Sequence, residues 1–325
     1  MREMTTVAIV GAGLVGRGWA FVFARAGMAV RVWDAEPAVL ERLPAEIAKM
    51  AAEAGAFGCG GSDHAGLADR ILTFASLDEA LRGASLVQES GPEVLSVKQA
   101  LFTRLDELAE PDAVVASSSS GLTVSQYTDE LPGRHRCLVG HPVNPPHLVP
   151  VVELSPGPHT DAATLDTAER IYRQAGQVPV RLEREIDGFI LNRLQAVVLA
   201  EALRLVDEGY VSAHGLDDTM RHGLGRRWAF MGPLETISLN APNGIADYLR
   251  RYGPTMARLA DDAARGEAFN EAAIEKVARA FPVTESDKVR ARQAWRDDEL
   301  AALARHLAER NARHAEGEGR HGGQA

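Results

Sequence analysis

Residues 6–10, Thr-Val-Ala-Ile-Val, form a short apolar run that stops at a glycine, and the next six positions read Gly11-Ala-Gly13-Leu14-Val15-Gly16. A run of this kind suits a parallel strand covered on both faces. A helix is expected over residues 15–27, ending at Gly27, and a second strand over residues 28–33, closed by Asp34. Few folds accept that order of parts. Gly11 permits a tight turn, Gly13 lets a pyrophosphate approach the backbone, and Gly16 lets helix and strand pack closely. The helix N-terminus offers free N–H groups and partial positive charge to that pyrophosphate. Asp34 lies 18 residues past Gly16, where a carboxylate can accept hydrogen bonds from both hydroxyls of an adenosine ribose. Its charge would repel a 2′-phosphate. Gly11, Gly13, Leu14, Val15, Gly16 and Asp34 are therefore the expected seat of NAD rather than NADP. FAD shares the fingerprint, but no second flavin-type segment follows. A glycine-rich turn without a ligand would not need the strand, helix and acid that surround this one.

The unit repeats in texture. A helix is expected over residues 37–54, a loop over 55–62 and a helix over 93–109, with strand-like runs at 71–74, 85–88, 113–117, 137–140 and 149–154. Strands alternating with helices make a mostly parallel sheet, an α/β domain of the doubly wound Rossmann type. Past residue 188 the periodicity becomes helical, with Phe189, Leu191, Leu194, Val197, Val198, Leu203 and Leu205 on one spacing. Short breaks fall at Gly209, Gly223–Gly225, Gly232–Pro233 and Gly253–Pro254. A chain of 325 residues is long for one core. The expected division is a Rossmann-type NAD-binding domain at 1–187, an all-helical substrate and dimerisation domain at 188–313, and a glycine-rich, disordered tail at 314–325.

Composition excludes several classes. A formal net charge of −10 gives no electrostatic reason to track nucleic acid. Two cysteines, Cys59 and Cys137, make neither a disulfide scaffold nor a cysteine metal site, and no metal is expected. Cys137 reads as a small core residue. No apolar run approaches the roughly 18 residues of a transmembrane helix, and no leader precedes the first strand, so the expected location is the cytoplasm.

Four segments carry candidate chemistry. Ser117 to Ser120 follow one strand, His141-Pro-Val-Asn144-Pro-Pro follows another, Glu153 lies in an apolar run, and Asn192 sits one turn into the first C-terminal helix. In an open α/β sheet the carboxyl ends of strands line the ligand crevice. Taking hydride from a carbinol carbon requires the hydroxyl proton to leave, and an imidazole with a pKa of about 6.5 suits that task. A carboxylate behind it would fix its tautomer. A serine hydroxyl and an asparagine amide can hydrogen-bond the substrate oxygen. Each residue also has a plainer use. A histidine before proline is often structural, a serine run is often a polar loop, and Asn192 could bridge the domain junction. Glu153 is harder to dismiss, because a carboxylate within an apolar strand needs a partner.

Taken together, these segments resemble the 3-hydroxyacyl-CoA dehydrogenase superfamily, and within it the lambda-crystallin / L-gulonate 3-dehydrogenase branch. The likeness runs from about residue 6 to about residue 310 and is carried by Gly140-His-Pro-Val-Asn-Pro-Pro146, Gly188-Phe-Ile-Leu-Asn-Arg-Leu194, Gly225-Arg-Arg-Trp-Ala-Phe-Met-Gly-Pro-Leu-Glu-Thr236 and Gln293-Ala-Trp-Arg-Asp297. The resemblance implies His141 as base, Glu153 as its partner, and Ser120 and Asn192 at the substrate oxygen and neighbouring nicotinamide contacts. It implies Glu93 and Lys98 on the cofactor side, Asn144 against the nicotinamide ribose, and a homodimer made by the helical domain. In one departure, Ser118 and Ser119 stand where relatives often carry Asn or Thr. Arg226-Arg-Trp-Ala-Phe resembles the lambda-crystallin branch and also carnitine dehydrogenases. Arg227 is the expected anchor of a substrate carboxylate, with a solvent-facing arginine as the plainer alternative. The expected activity is oxidation of the 3-hydroxyl of a small free hydroxy acid, L-gulonate-like. The alternatives are a short-chain 3-hydroxyacyl-CoA, carnitine or 3-hydroxybutyrate dehydrogenase, or a crystallin-like NAD-binding structural protein.

Overall fold

The computed structural model describes residues 4–56, 66–263, 266–281 and 286–321. It divides into two compact units, Met1–Ile190 with Ala294–Ala325, and Leu191–Gln293. In the first unit the chain runs β1 (Thr6–Val10), α1 (Leu14–Arg25), β2 (Ala29–Trp33), α2 (Pro37–Ala56) and β3 (Ile71–Thr73). It continues through α3 (Leu77–Leu81), β4 (Leu86–Glu89), α4 (Leu95–Leu108), β5 (Val114–Ser117) and α5 (Ser125–Thr128). β6 (Cys137–Pro142), β7 (Val151–Pro156), α6 (Ala162–Gln174) and β8 (Val178–Arg181) complete it.

The eight strands form one sheet in the order β3-β2-β1-β4-β5-β6-β7-β8. The first six strands have the order of two mononucleotide-binding halves, so the order of strand addition reverses between β1 and β4, where such sheets bind ligands. All pairings are parallel except β6 with β7. Strand residues alternate between two cores. Val7 and Ile9 face α1, α2 and α6, packing with Trp19, Phe23, Leu43 and Tyr172. Ala8 and Val10 face α3, α4 and α5, packing with Leu81, Phe102 and Tyr127. Burying both faces explains why β1 reads as a continuous apolar run.

The expected strands form, and β8 is an addition. Its sequence Val-Pro-Val-Arg is mostly exposed, so it carries neither the apolar run of a central strand nor a clean alternation. Pro179 is tolerated there because the strand lies at the sheet edge. α2 covers the first two positions of the expected loop at 55–62; residues 57–62 lie outside the described residues.

The two compact units part at 190/191, three residues past the expected 187/188. Phe189 is buried in the second core of the first unit, and the Ile190 N–H donates to Glu153 at 2.9 Å. These contacts hold residues past Gly188 on the sheet side. The second unit comprises α7 (Leu191–Asp207), α8 (Ala213–Thr219), a π-helical turn at Met220–Leu224, α9 (Gly225–Trp228), α10 (Pro233–Ser238), α11 (Gly244–Asp262) and α12 (Glu271–Ala280). Ser212 and Asn270 cap α8 and α12 with their side chains. α7 packs on α12 around Ala200, Leu203 and Ala273. The break expected at Gly253–Pro254 does not occur, because α11 runs through Pro254. Ile245, Leu249, Tyr252, Met256 and Leu259 carry one helical stripe across it.

The last helix, α13 (Ser286–His321), enters the segment expected to lack structure. The Ala- and Arg-rich stretch leading into it favours helix. Residues 322–325 lie outside the described residues. Among the described residues no helix is long and apolar enough to cross a membrane, and no cluster of three His, Cys, Asp or Glu side chains is placed to hold a metal.

Candidate active site

The glycine turn between β1 and α1 has three different steric requirements. Gly11 adopts φ +94°, and a Cβ there would lie 2.9 Å from the Ser90 carbonyl carbon and oxygen. A Cβ on Gly16 would lie 1.8 Å from the Gly11 carbonyl oxygen. At Gly13 a Cβ would meet nothing within 4 Å. The protein itself therefore leaves space over Gly13, as an incoming pyrophosphate requires. Gly13 caps α1 without a side-chain acceptor, and Leu14 and Val15 open that helix, so its first N–H groups are left for a ligand. The turn fits NAD. Asp34 adds a structural duty, since its carboxylate accepts the Ala12 N–H at 2.7 Å and the Glu36 N–H at 2.9 Å. Further along α1, a Cβ on Gly18 would come within 2.8 Å of Pro146. The cofactor helix and the loop after His141 are thus in direct contact.

The fold divides the serine run. The Ser117 hydroxyl donates to Glu89 at 2.6 Å. Ser118 receives the Trp19 indole N–H at 3.2 Å and the Gln88 amide at 2.7 Å. Ser119 donates to Glu93 at 2.5 Å. Ser120 alone is exposed, consistent with a substrate-facing place. Its backbone N–H, with those of Gly121 and Leu122, donates to the Glu93 carboxylate at 3.0–3.1 Å. Burial opposes the charge on Glu93, but the Ser119 hydroxyl and the N–H groups of Gly121, Leu122 and Ser120 outweigh it and hold the carboxyl below its usual range. A folded-state pKa below the unfolded one means this anchorage is present above the ordinary carboxylate range and lost as pH falls through the lowered pKa. Glu93 therefore ties down the loop that carries Ser120.

Lys98 is 1% exposed. Its ammonium donates to Glu89 at 2.8 Å and to Ser117 at 3.3 Å, while the other Glu89 oxygen accepts the Gly91 N–H at 2.6 Å. The pair lies beneath the carboxyl ends of β4 and β5. Lys98→Met is expected to leave Glu89 buried and uncompensated, lowering stability by about 3 to 5 kcal/mol. Urea denaturation checks this, and an unchanged midpoint would remove the pair from the fold's support.

His141 and Glu153 stand directly opposite each other in the antiparallel β6–β7 register. The His141 Nδ1 lies 2.9 Å from Glu153 Oε2, and both side chains are buried. A carboxylate only accepts, so Nδ1 carries the proton and Nε2 presents its lone pair. The second Glu153 oxygen takes the Ile190 N–H. Phe189 packs its ring 5.2 Å from that of His141 and is the single non-glycine position with positive φ, +50°, among the described residues. Such a conformation persists only where its surroundings enforce it. Phe189, expected on the helical spacing past residue 188, instead lies ahead of α7 with its ring against His141, a placement that no local signal marks.

His147, six residues past His141, is a contrasting imidazole. Burial, helped by the Arg25 and Arg17 charges and partly offset by Asp297, pushes its pKa down to about 4. Its Nδ1 is buried without a hydrogen-bond partner, unlike that of His141. Asn144 is exposed in the same loop. In the second unit, Asn192 occupies the first turn of α7 and Arg227 lies exposed on α9.

The model of the 3-hydroxyacyl-CoA dehydrogenase NAD binding domain matches residues 6–186. That of the 3-hydroxyacyl-CoA dehydrogenase C-terminal domain matches residues 188–279. The chain is 45% identical to the lambda-crystallin homolog of Bos taurus over 306 residues, covering 92% of this chain and 94% of that one. It is 32% identical to an L-carnitine dehydrogenase of a Pseudomonas species, covering 96% and 97% respectively. Among solved structures, FHMPC 5-dehydrogenase, described as an NAD+-dependent dismutase, superposes with a TM-score of 0.82 at 27% identity, covering 94% of this chain and 99% of that one.

Proposed function

Because the chain belongs to the 3-hydroxyacyl-CoA dehydrogenase family of NAD-dependent oxidoreductases, we propose that it oxidises the 3-hydroxyl of a small free hydroxy acid of the L-gulonate type. The observation that carries the chemistry is the buried His141–Glu153 pair, 2.9 Å apart. It leaves one imidazole nitrogen free to accept a proton from an alcohol. Bound NAD supplies the hydride acceptor. His141 Nε2 takes the hydroxyl proton, and Glu153 holds the ring and stabilises the imidazolium that forms. Ser120 and Asn192 hydrogen-bond the substrate oxygen as it becomes a carbonyl. The turn from Gly11 to Gly16 and Asp34 hold the dinucleotide, Asn144 lies against its nicotinamide ribose, and Glu93 and Lys98 brace the loops on its side. For gulonate the product is 3-dehydro-L-gulonate.

The free-acid reading rests on the resemblance of Arg226-Arg-Trp-Ala-Phe to the lambda-crystallin branch, and Arg227 is the proposed anchor of the substrate carboxylate. A guanidinium–carboxylate fork makes two charge-assisted bonds, so Arg227→Ala should raise KM for the free acid about 10²-fold with kcat much less affected. An unchanged KM would take Arg227 out of the site. L-Carnitine is the second reading, because a carnitine dehydrogenase matches over nearly the whole chain. Assaying L-gulonate, 3-hydroxybutyrate, carnitine and 3-hydroxybutyryl-CoA side by side with NAD separates the readings. Highest kcat/KM on the thioester or on carnitine would overturn the gulonate assignment. The helical unit is the proposed homodimer surface, supported by the exposed apolar stripe on α11, and the proposed location is the cytoplasm.

A further inference from the structure

A polar chain runs through the otherwise apolar core beneath the dinucleotide turn. Tyr172 on α6 donates its hydroxyl to Gln88 Oε1. Gln88 Nε2 donates to Ser118 Oγ at 2.7 Å and reaches the Gly140 carbonyl at 3.4 Å. Trp19 donates its indole N–H to the same Ser118 oxygen at 3.2 Å. Ser118 Oγ lies 2.9 Å from Ser90 Oγ. Gln88 is fully buried, and a Cβ on Gly140 would strike the Tyr172 hydroxyl, so the chain has no room to rearrange.

Donor accounting sets its direction. The Gly140 carbonyl can only accept, so the Gln88 amide must turn its NH₂ toward it and its oxygen toward Tyr172. An indole N–H can only donate. Ser118 Oγ therefore receives two N–H donors, which fill both of its lone pairs. Its own proton has one remaining partner, Ser90 Oγ. Ser90 must accept from Ser118, and its own O–H is turned away from the network. No group among the described residues is seen to accept that proton. Ser90 follows the end of β4, half-buried, with its carbonyl against Gly11 at the reversal of strand order.

We propose that the Ser90 hydroxyl is a hydrogen-bond donor pre-aimed at an oxygen of bound NAD, and that Gln88 is the positioning residue that aims it through Ser118. The proposal rests on NAD occupying this crevice. A donor whose rotor is already fixed loses little freedom on binding, so its contact is worth more than that of a free surface hydroxyl.

The test is NAD affinity, read by calorimetry without substrate. Ser90→Ala should weaken NAD about fivefold, and Ser90→Thr, which keeps the hydroxyl, should restore most of that. Gln88→Leu removes one donor to Ser118 and frees the rotor. It should weaken NAD about threefold in the Ser90 protein and have no effect in the Ser90→Ala background, which is the signature of coupling. Equal weakening in both backgrounds would mean that Gln88 acts only on the fold. Wild-type affinity in Ser90→Ala would overturn the donor itself, a result obtainable whether or not Gln88→Leu folds. A wild-type protein that binds no NAD would sink the cofactor reading and the proposal with it.

Discussion

His141→Gln is expected to lower kcat by on the order of 10³- to 10⁴-fold while NAD affinity stays near wild type. Glutamine is the informative replacement because its amide N–H can still reach Glu153, so the carboxylate is not left buried without a donor. What disappears is the basic nitrogen. The other nearby histidine offers no substitute. His147 is held neutral by burial with a pKa of about 4, and its Nδ1 has no partner to orient it. NAD affinity is expected to hold because the dinucleotide turn lies on β1 and α1, whereas His141 lies on β6. Stopped-flow single turnover at saturating NAD isolates the chemical step. A variant retaining more than about a tenth of wild-type kcat would remove His141 as the base, and the enzymatic mechanism proposed here with it.

The second large effect separates two glycines three residues apart. Gly16→Ala places a methyl 1.8 Å from the Gly11 carbonyl oxygen. The obstruction is backbone, so no rotamer relieves it, and the turn must open. Loss of at least about 4 kcal/mol is expected, enough to leave a protein of this size largely unfolded or insoluble. Gly13→Ala meets nothing within 4 Å, and its φ of −64° suits any L-residue. That variant should melt within a few degrees of wild type, yet lose on the order of 10²-fold in NAD affinity, because the methyl occupies the approach of the pyrophosphate. Thermal unfolding and fluorescence titration of both proteins give the comparison. Unaltered NAD binding by Gly13→Ala would place the pyrophosphate elsewhere.

Much of this was legible without coordinates, and the reasons are local. The first strand, its turn and its helix are encoded within 25 residues, and each glycine has a nearby steric cause. His141 and Glu153 were separable as candidates because a carboxylate inside an apolar strand demands a partner; the antiparallel register supplies it. What escaped was set by contacts distant in sequence. Four adjacent serines look alike in a string, but Ser117, Ser118 and Ser119 answer to Glu89, Gln88 and Glu93, each 26 to 30 residues away. The contact of Lys98 with Glu89 and Ser117 was equally unreadable, because it depends on which face of α4 meets the sheet. β8 was silent because an exposed edge strand needs little apolar content. Pro254 suggested a break, but the stripe from Ile245 to Leu259 keeps its spacing across it.

The meeting of Gly18 with Pro146 has a mechanical consequence. One end of α1 carries the open glycine turn, and its flank is the seat on which the segment after His141 rests, with less clearance than a methyl group needs. A rigid rod seated this tightly transmits displacement instead of absorbing it. A single added carbon at position 18 would therefore have to push α1 and the segment after His141 apart.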